Sequence, residues 1–152
     1  DATKAAVEEG ILPGGGVALL KASLVLDSIN PDNDEEKVGL NILKYALEQP
    51  IRRLAQNSGE DAGYIFNLIK KEVTKDPKSD YGYNAATGKM ESMTKSGILD
   101  PAKVTKSALT NAVSVSTMIL TTDVLITDAP EKPAPASPAA GMGGMGGMDG
   151  MM

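Results

Sequence analysis

Three polar or glycine-rich segments contain residue types that could bind a ligand. Gly14-Gly15-Gly16 precedes an apolar stretch; glycine lets a ligand approach the backbone, and a helix N-terminus favours an anion. The triplet has neither a phosphate-loop lysine nor Rossmann spacing, so a simple hinge is the favoured explanation. The glycines alone leave ligand binding open.

Asp100 and Asn84 are suited to binding a nucleoside. Asp100-Pro101 predicts the N-cap and first position of a long helix, and the second carboxylate oxygen could accept hydrogen bonds from two ribose hydroxyls. Tyr83-Asn84-Ala85-Ala86 is typical of a turn, although the Asn amide offers a donor and an acceptor to an adenine edge. Each segment remains ambiguous by itself.

The chain ends in methionines separated by glycine pairs, from Gly141 to Met152. Three interpretations are open: a disordered terminus, a Cu(I) site built from soft thioether sulfurs, or a weak contact surface for apolar polypeptide. The segment alone does not decide among them.

The composition excludes several kinds of site. Acidic residues outnumber basic ones, 20 to 15, and no Lys/Arg run occurs, so no nucleic-acid partner is expected. Cysteine and histidine are absent, which excludes disulfides, thiolate or imidazole metal sites and a Ser-His-Asp triad. No apolar run approaches the roughly 18 residues of a membrane span, so no membrane partner is expected. Apart from the Cu(I) interpretation of the terminal methionines, we predict no metal site within the chain.

The pattern predicts a mostly helical domain with small strands and a tethered tail. Asp34 is expected to cap a helix that Pro50 ends or kinks, and Ser58 with Asp61 resembles a capping box. Asp1, within a helix-like segment, indicates a fragment of a longer protein. Helices are predicted at 1–9, 17–26, 34–49, 51–56, from about 61 onward, and at 101–121. The helix that starts near residue 61 should have Ala62, Ile65, Phe66, Ile69 and Val73 on one face, and the last helix should have Val104, Ala108, Ala112, Val115 and Ile119 pointing inward. Strands are predicted at 81–84 and 124–126.

Read in order, four motifs resemble the C-terminal part of a group I chaperonin, the GroEL type. They are Ala5-Ala6-Val7-Glu8-Glu9-Gly10 with Gly14-Gly15-Gly16, Tyr81-Gly82-Tyr83-Asn84-Ala85-Ala86, Gly97-Ile98-Leu99-Asp100-Pro101, and the terminal Gly-Gly-Met repeats. The resemblance implies a mostly α fold, a helical bundle with short strands like the chaperonin equatorial domain, incomplete without its N-terminal half. It implies that residues 1–9 end the intermediate-domain helix, 10–129 form the C-terminal half of the equatorial ATP-binding domain, and 130–152 are a flexible tail. Gly10 falls at the family's lower hinge.

The resemblance also implies an adenosine-binding role. Gly15 would approach the ribose through its backbone, and Asp100 would hold the ribose hydroxyls. Asn84 and Ala85 would meet the adenine, while Ile98 would pack on the base. The implied nucleotide-binding residues are Gly14, Gly15, Tyr83, Asn84, Ala85, Ala86, Ile98 and Asp100.

The implied cofactor is ATP with Mg²⁺, but the phosphate loop and the Mg²⁺ ligands of the family lie in the N-terminal half. The catalytic aspartate of the family would precede Asp1 by three residues, so we expect no catalytic residue here. We therefore predict no ATPase activity from this chain alone. We also expect it to expose apolar faces on Val17–Leu26 and Val104–Ile119, and to be marginally stable, oligomeric or partly molten.

The implied function is that of an ATP-dependent protein-folding chaperone subunit. Its expected partners are identical subunits in a double ring, a co-chaperonin lid and non-native polypeptides. The expected location is the bacterial cytoplasm, with the mitochondrial matrix or plastid stroma as alternatives. A different class of function, a non-enzymatic helical binding module with a Met-rich Cu(I)-binding tail, rests only on the methionine spacing.

Overall fold

The computed structural model describes residues 1–128. Helices form most of the ordered elements, and the strands are short, as the sequence predicts. In chain order the elements are α1 (Ala2–Glu9), β1 (Ile11–Pro13), α2 (Val17–Val25), a 3₁₀ turn (Leu26–Ser28), α3 (Asp34–Asn57), α4 (Ala62–Lys75), β2 (Tyr81–Asn84), β3 (Lys89–Ser92), β4 (Leu99–Pro101) and α5 (Ala102–Leu120).

The core lies between α2, the second half of α3, α4 and the β2–β3 hairpin. Leu20, Ile51, Ile69 and Met93 are completely buried there. The predicted inner face of α4 is confirmed, since Ile65, Phe66, Ile69 and Val73 are all buried. Burial of apolar area is the main stabilising contribution, so these four elements hold the domain together.

Two small antiparallel sheets complete the fold. β2 and β3 form a hairpin, which confirms the strand predicted at Tyr81–Asn84. β1 pairs with β4, with Leu12 opposite Asp100. No strand was expected before the glycine triplet, so β1 was not predicted. A three-residue strand has almost no local signal when its partner lies far along the chain.

The third helix differs from prediction at its centre. Pro50 was expected to end or kink it, and it does not end it, because α3 continues from Asp34 to Asn57. A proline removes one intrahelical hydrogen bond and crowds the preceding turn, which costs about 3 kcal/mol. Leu47 and Ile51 are buried on either side of Pro50, so packing against the core offsets that cost.

Three predicted caps are wrong. Asn33, not Asp34, caps α3, because the Asn33 side chain accepts a hydrogen bond from the Glu36 N–H. Asp61 caps α4 itself by accepting from the Tyr64 N–H at 2.6 Å, whereas the Ser58 hydroxyl donates to the Leu54 carbonyl. Pro101 occupies the cap position of α5, and the extended backbone of Asp100 belongs to β4.

The fifth helix has no buried residue. The side chains predicted to point inward are instead exposed, with Val104 at 50% and Ile119 at 68% exposure. This confirms the expected exposed face on α5. The matching expectation for α2 is wrong, because Val17 and Leu20 are fully buried in the core.

Residues 121–128 follow α5 without regular structure. Val124, Leu125 and Ile126 were predicted to form a strand, but they pair with no strand among residues 1–128 and are 72–91% exposed. A β-branched run favours a strand only when another strand can pair with it. The Pro/Ala stretch and the Gly/Met repeats lie outside the described residues.

Candidate functional site

The glycine triplet makes a tight contact with the segment before β4. The Gly14 N–H donates to the Ile98 carbonyl at 2.9 Å, and a Cβ on Gly14 would lie 2.9 Å from Ile98 Cγ2. Gly15 and Gly16 both have left-handed backbones, with φ of 66° and 80°. Glycine is therefore required here by close approach and by backbone conformation.

Tyr83 and Met93 join the same cluster. A Cβ on Gly15 would lie 3.3 Å from the Met93 sulfur and 3.7 Å from the Tyr83 carbonyl oxygen. The Met93 backbone carbonyl also accepts a hydrogen bond from the Ile98 N–H at 2.8 Å. Segments around residues 15, 83 and 98 thus meet at one buried methionine. The sequence analysis did not single out Met93, since a lone core methionine has no distinguishing pattern.

Asn84 ends β2 and is almost completely buried, with 8% exposure. Its side-chain Nδ2 donates to Glu91 Oε1, and its Oδ1 accepts a hydrogen bond from the Ala86 N–H at 2.9 Å. Ala85 and Ala86 are exposed on the turn that follows, which agrees with the predicted turn. Glu91 was missed by the sequence analysis. Two short strands joined by a turn at Gly88 would have predicted a hairpin, and its pairing places Glu91 beside Asn84.

Two ionised carboxylates brace the hairpin. The hydrogen bond from Asn84 is the main reason that the pKa of Glu91 lies below its usual value. Hydrogen bonds from Ser92 and Thr94 lower the pKa of Asp80 to about 2. At neutral pH both groups are therefore charged acceptors that stabilise the hairpin near its turn and near its open end.

Asp100 faces a cavity of about 470 Å³ between α2, α3 and α5. Pro101 occupies the cap position of α5, so the Asp100 carboxylate is not used as the cap of that helix. Apart from Asp100, the lining residues are uncharged: Gly16, Leu19, Ala46, Leu47, Pro50, Val104, Thr105, Ala108, Leu109 and Ala112. A carboxylate at the edge of an apolar cavity is a strong acceptor for ligand hydroxyls.

A second cavity of about 470 Å³ lies at the other end of α2. Its lining residues are Lys21, Leu24, Val25, Asp27, Val73, Thr74 and Pro77. None of the predicted nucleotide-binding residues is among them. We assign the candidate site to the Asp100 side, where the predicted segments converge.

The structure brings most of the predicted site residues together. Gly14, Gly15, Tyr83 and Ile98 form one packed cluster, and Asn84 continues from Tyr83. Asp100 lies two residues beyond Ile98 but lines the cavity together with Gly16. Ala85 and Ala86 lie further out on the hairpin turn. The cluster and the cavity thus adjoin each other through the glycine turn.

Gly10, the predicted hinge, follows α1 with a left-handed φ of 84°. No atom would lie within 4 Å of a Cβ at this position, so the backbone conformation and not space favours glycine. The Gly10 carbonyl accepts a hydrogen bond from the Ala102 N–H at 3.0 Å. The end of α1 is therefore attached to the start of α5.

The described residues contain neither a metal-ligand cluster nor a membrane-spanning helix. Among residues 1–128, no three acidic, Cys or His side chains gather in a way that could hold a metal ion. No helix in the same range has both the length and the apolar character that crossing a membrane requires. The candidate site itself contains backbone groups of the glycine triplet, the Asn84 amide, the Asp100 carboxylate and apolar walls.

Comparison with known proteins defines the family. The model of the TCP-1/cpn60 chaperonin family matches residues 1–130. An open-state monomer of a group II chaperonin from Methanococcoides burtonii is 24% identical to this chain, with a TM-score of 0.66. The match covers 74% of this chain and 28% of the M. burtonii chain. A group III chaperonin crystallised in the open state is 26% identical with a TM-score of 0.70, covering 80% of this chain and 25% of its own. The mostly helical arrangement is thus a fragment of the chaperonin fold that spans about a quarter of each structure, and the chain belongs to the TCP-1/cpn60 chaperonin family.

Proposed function

We propose that this chain is the second half of the equatorial domain of an ATP-dependent protein-folding chaperonin subunit. It would supply the adenosine-side contacts and part of the ring packing. Residues 1–9 would end the intermediate domain, with Gly10 as the hinge, residues 10–129 would be equatorial, and 130–152 would be the tail. Family membership and the helical fold support this assignment.

The observation that carries the proposal is the meeting of three distant segments at one place. Gly14 is hydrogen-bonded to Ile98, and Gly15 lies against Met93 and the Tyr83 backbone. In the proposed complex, Gly15 approaches the ribose, Ile98 packs on the base and Asp100 accepts from the ribose hydroxyls. Asn84 and Ala85 contact the adenine, and Tyr83 and Ala86 complete the wall.

The phosphate side of the nucleotide would belong to another part of the subunit. The family resemblance implies that the phosphate loop and the Mg²⁺ ligands lie in the N-terminal half of the subunit, so we propose no Mg²⁺-binding role for this chain. Phosphoryl transfer depends on stabilising charge at the phosphates. The chain alone should therefore show no Mg²⁺-dependent phosphate release from ATP, while the complete subunit should release phosphate.

Within the family we propose the group I type. The terminal Gly-Gly-Met repeats and the other three motifs support this choice, whereas the two compared structures are a group II and a group III chaperonin. A group I subunit would assemble into a double ring with identical subunits and enclose non-native polypeptide under a separate co-chaperonin lid. Client refolding that requires an added lid protein would support this type, and refolding without one would contradict it.

Calorimetric titration of the complete subunit with ADP tests the adenosine site. Replacing Asp100 by Asn removes a charged acceptor whose hydrogen bonds contribute about 1.5–3 kcal/mol, so the dissociation constant should rise about 10-fold to 100-fold. The matched control is Asp123→Asn, an exposed aspartate after α5, which should leave the affinity unchanged. Equal affinities in all three proteins would refute the assignment of Asp100.

A further inference from the structure

The β2–β3 hairpin brings Glu91 next to Asn84. Asn84 lies opposite Lys89 and Gly82 lies opposite Glu91, so Glu91 is the diagonal neighbour of Asn84. Residues two apart on a strand share one face of the sheet, which puts Asn84, Gly82 and Glu91 on the same face. The Met93 and Val17 side chains lie against Gly82, so this face of the hairpin is turned towards the cluster that Gly14, Gly15, Tyr83 and Ile98 form around Met93.

The two hydrogen bonds of the Asn84 side chain determine which way its amide points. A carboxylate can only accept, so the atom that meets Glu91 must be Nδ2. A backbone N–H can only donate, so the atom that meets Ala86 must be Oδ1. A flipped amide would put oxygen against oxygen at Glu91 and N–H against N–H at Ala86. The orientation is therefore chemically enforced.

Burial and a further contact strengthen this arrangement. Asn84 is 8% exposed, so lost hydrogen bonds would be poorly replaced by water. The Thr87 hydroxyl donates to the same Glu91 oxygen at 3.3 Å and keeps the carboxylate beside the amide. Because its pKa is lowered, Glu91 remains an ionised acceptor at neutral pH.

The oriented amide keeps one donor and one acceptor for a ligand. A carboxamide has two N–H groups and two lone pairs on oxygen, and Glu91 and Ala86 use one of each. Adenine presents an amino donor at N6 beside a ring acceptor at N1. Hypoxanthine presents an oxygen acceptor there beside an N1–H donor. A freely rotating amide could match either base by flipping, whereas an amide held one way matches only one.

We propose that Glu91 is a positioning residue that holds the Asn84 amide in one orientation and makes the site select adenine nucleotides over hypoxanthine nucleotides. This inference rests on the proposed adenosine-side function. Glu91 acts through Asn84 and does not itself touch the base. Its removal should change the preference between two bases, which is a more specific effect than general loss of affinity.

The test measures dissociation constants for ADP and IDP with the complete subunit by calorimetry. The ratio of the IDP constant to the ADP constant is the readout. Glu91→Ala should lower this ratio about tenfold, the equivalent of about 1.4 kcal/mol, because the Ala86 N–H alone then opposes the flip that accommodates hypoxanthine. Glu91→Gln keeps an acceptor oxygen next to Nδ2 and should retain the ratio within about threefold. The control Glu35→Ala removes an exposed glutamate at the start of α3 and should leave the ratio unchanged.

A merely structural role for Glu91 would weaken ADP and IDP binding in parallel and leave their ratio unchanged. An unchanged ratio in a Glu91→Ala subunit that still binds ADP therefore overturns this inference and leaves the proposed function intact. If that variant does not fold, Thr87→Val decides, since it removes only the hydroxyl contact and should lower the ratio about twofold to threefold. Wild-type subunit that binds neither nucleotide would instead overturn the proposed function itself.

Discussion

The α4 face and the α5 face have similar apolar patterns but opposite surroundings. The α4 face, formed by Ile65, Phe66, Ile69 and Val73, is at most 4% exposed. The α5 face, which we define as Val104, Ala108, Ala112, Val115 and Ile119, is entirely exposed. An apolar stripe indicates that a helix needs a partner surface without specifying where that surface comes from. For α4 the partner lies within this chain, and for α5 it is not among the described residues.

The candidate site lies between these two regions. The cavity beside Asp100 is lined on one side by Leu47 and Leu19 and on the other by Val104, Ala108 and Ala112 of the α5 face. The nearby cluster around Met93 belongs to the buried core. The side of the site next to the core should therefore be more rigid than the side formed by α5.

The largest difference in stability should come from the same substitution made in the buried core and at the exposed end of α5. Leu20 is completely buried, whereas Leu120 at the end of α5 is 79% exposed. Leu20→Ala should lower the free energy of unfolding by about 2–5 kcal/mol, because it removes apolar contacts and leaves a cavity. Leu120→Ala should change it by less than about 0.5 kcal/mol. Urea denaturation followed by circular dichroism measures both, and similar losses would mean that the α5 end is covered in solution.

Two glycines should also respond in opposite directions. A Cβ on Gly82 would lie 2.7 Å from Val17 Cγ2 and 2.8 Å from Met93 Cγ, so Gly82→Ala should destabilise the protein by about 1–3 kcal/mol. Gly39, exposed within α3, has no atom within 4 Å of its Cβ position. Gly39→Ala should stabilise by about 0.5–1 kcal/mol, since alanine favours the helix. Thermal melts in the same buffer provide the comparison, and a stable Gly82→Ala protein would show that the core side of the hairpin is loose.

Acid should destabilise the β2–β3 hairpin by protonating Asp80, which accepts hydrogen bonds at the open end of the hairpin. Its pKa is lowered to about 2 in the folded chain, against about 3.9 for an unperturbed aspartate. The stabilisation is therefore complete above pH of about 4 and is lost as the pH falls towards 2. The difference in urea midpoint between wild type and Asp80→Asn should narrow over this range. Asp123→Asn should show no such pH-dependent difference, and a constant difference for Asp80→Asn would contradict the assignment.

The smallest effect should be at the contact between α1 and α5. Lys106 pairs with Glu9 at 2.6 Å, and Lys103 pairs with Glu8. These ion pairs are largely exposed, so each should contribute less than about 1 kcal/mol. Glu9→Gln should speed hydrogen exchange in α1 at low ionic strength, and the difference from wild type should vanish near 1 M salt. Glu60→Gln, on the exposed loop before α4, is the control, and a salt-independent effect of Glu9→Gln would exclude the ion-pair explanation.

Elements with local determinants were predictable from sequence. The α4 helix was found because its apolar spacing is complete, although the capping role belongs to Asp61 alone. The continuation of α3 past Pro50 could not be decided from sequence, because neighbours such as Ile51 that offset the effect of Pro50 come together only in the fold. Val124–Ile126 was wrongly predicted as a strand because strand propensity does not reveal a missing partner.

Part of the candidate site was also predictable. The glycine triplet, Ile98 and Asp100 were singled out by their types and by the family resemblance, and the structure brings the first two into contact. Asp100 was misread as a helix cap because Asp-Pro is a strong local signal, and pairing with Leu12 overrides it. Glu91 was missed because its importance depends on hairpin register, which the sequence analysis did not derive.

The pairing of β1 with β4 has a consequence for the order of folding. Leu12 meets Asp100 across about two thirds of the described chain, so this contact closes a very long loop. Contacts between distant residues form slowly because the entropy of loop closure must be overcome first. The core of α2, α3, α4 and the hairpin can form from nearer neighbours, and β4 must then arrive before Gly10 and α1 can be fixed. We therefore expect the first residues of this chain to be among the last to acquire their native contacts during refolding.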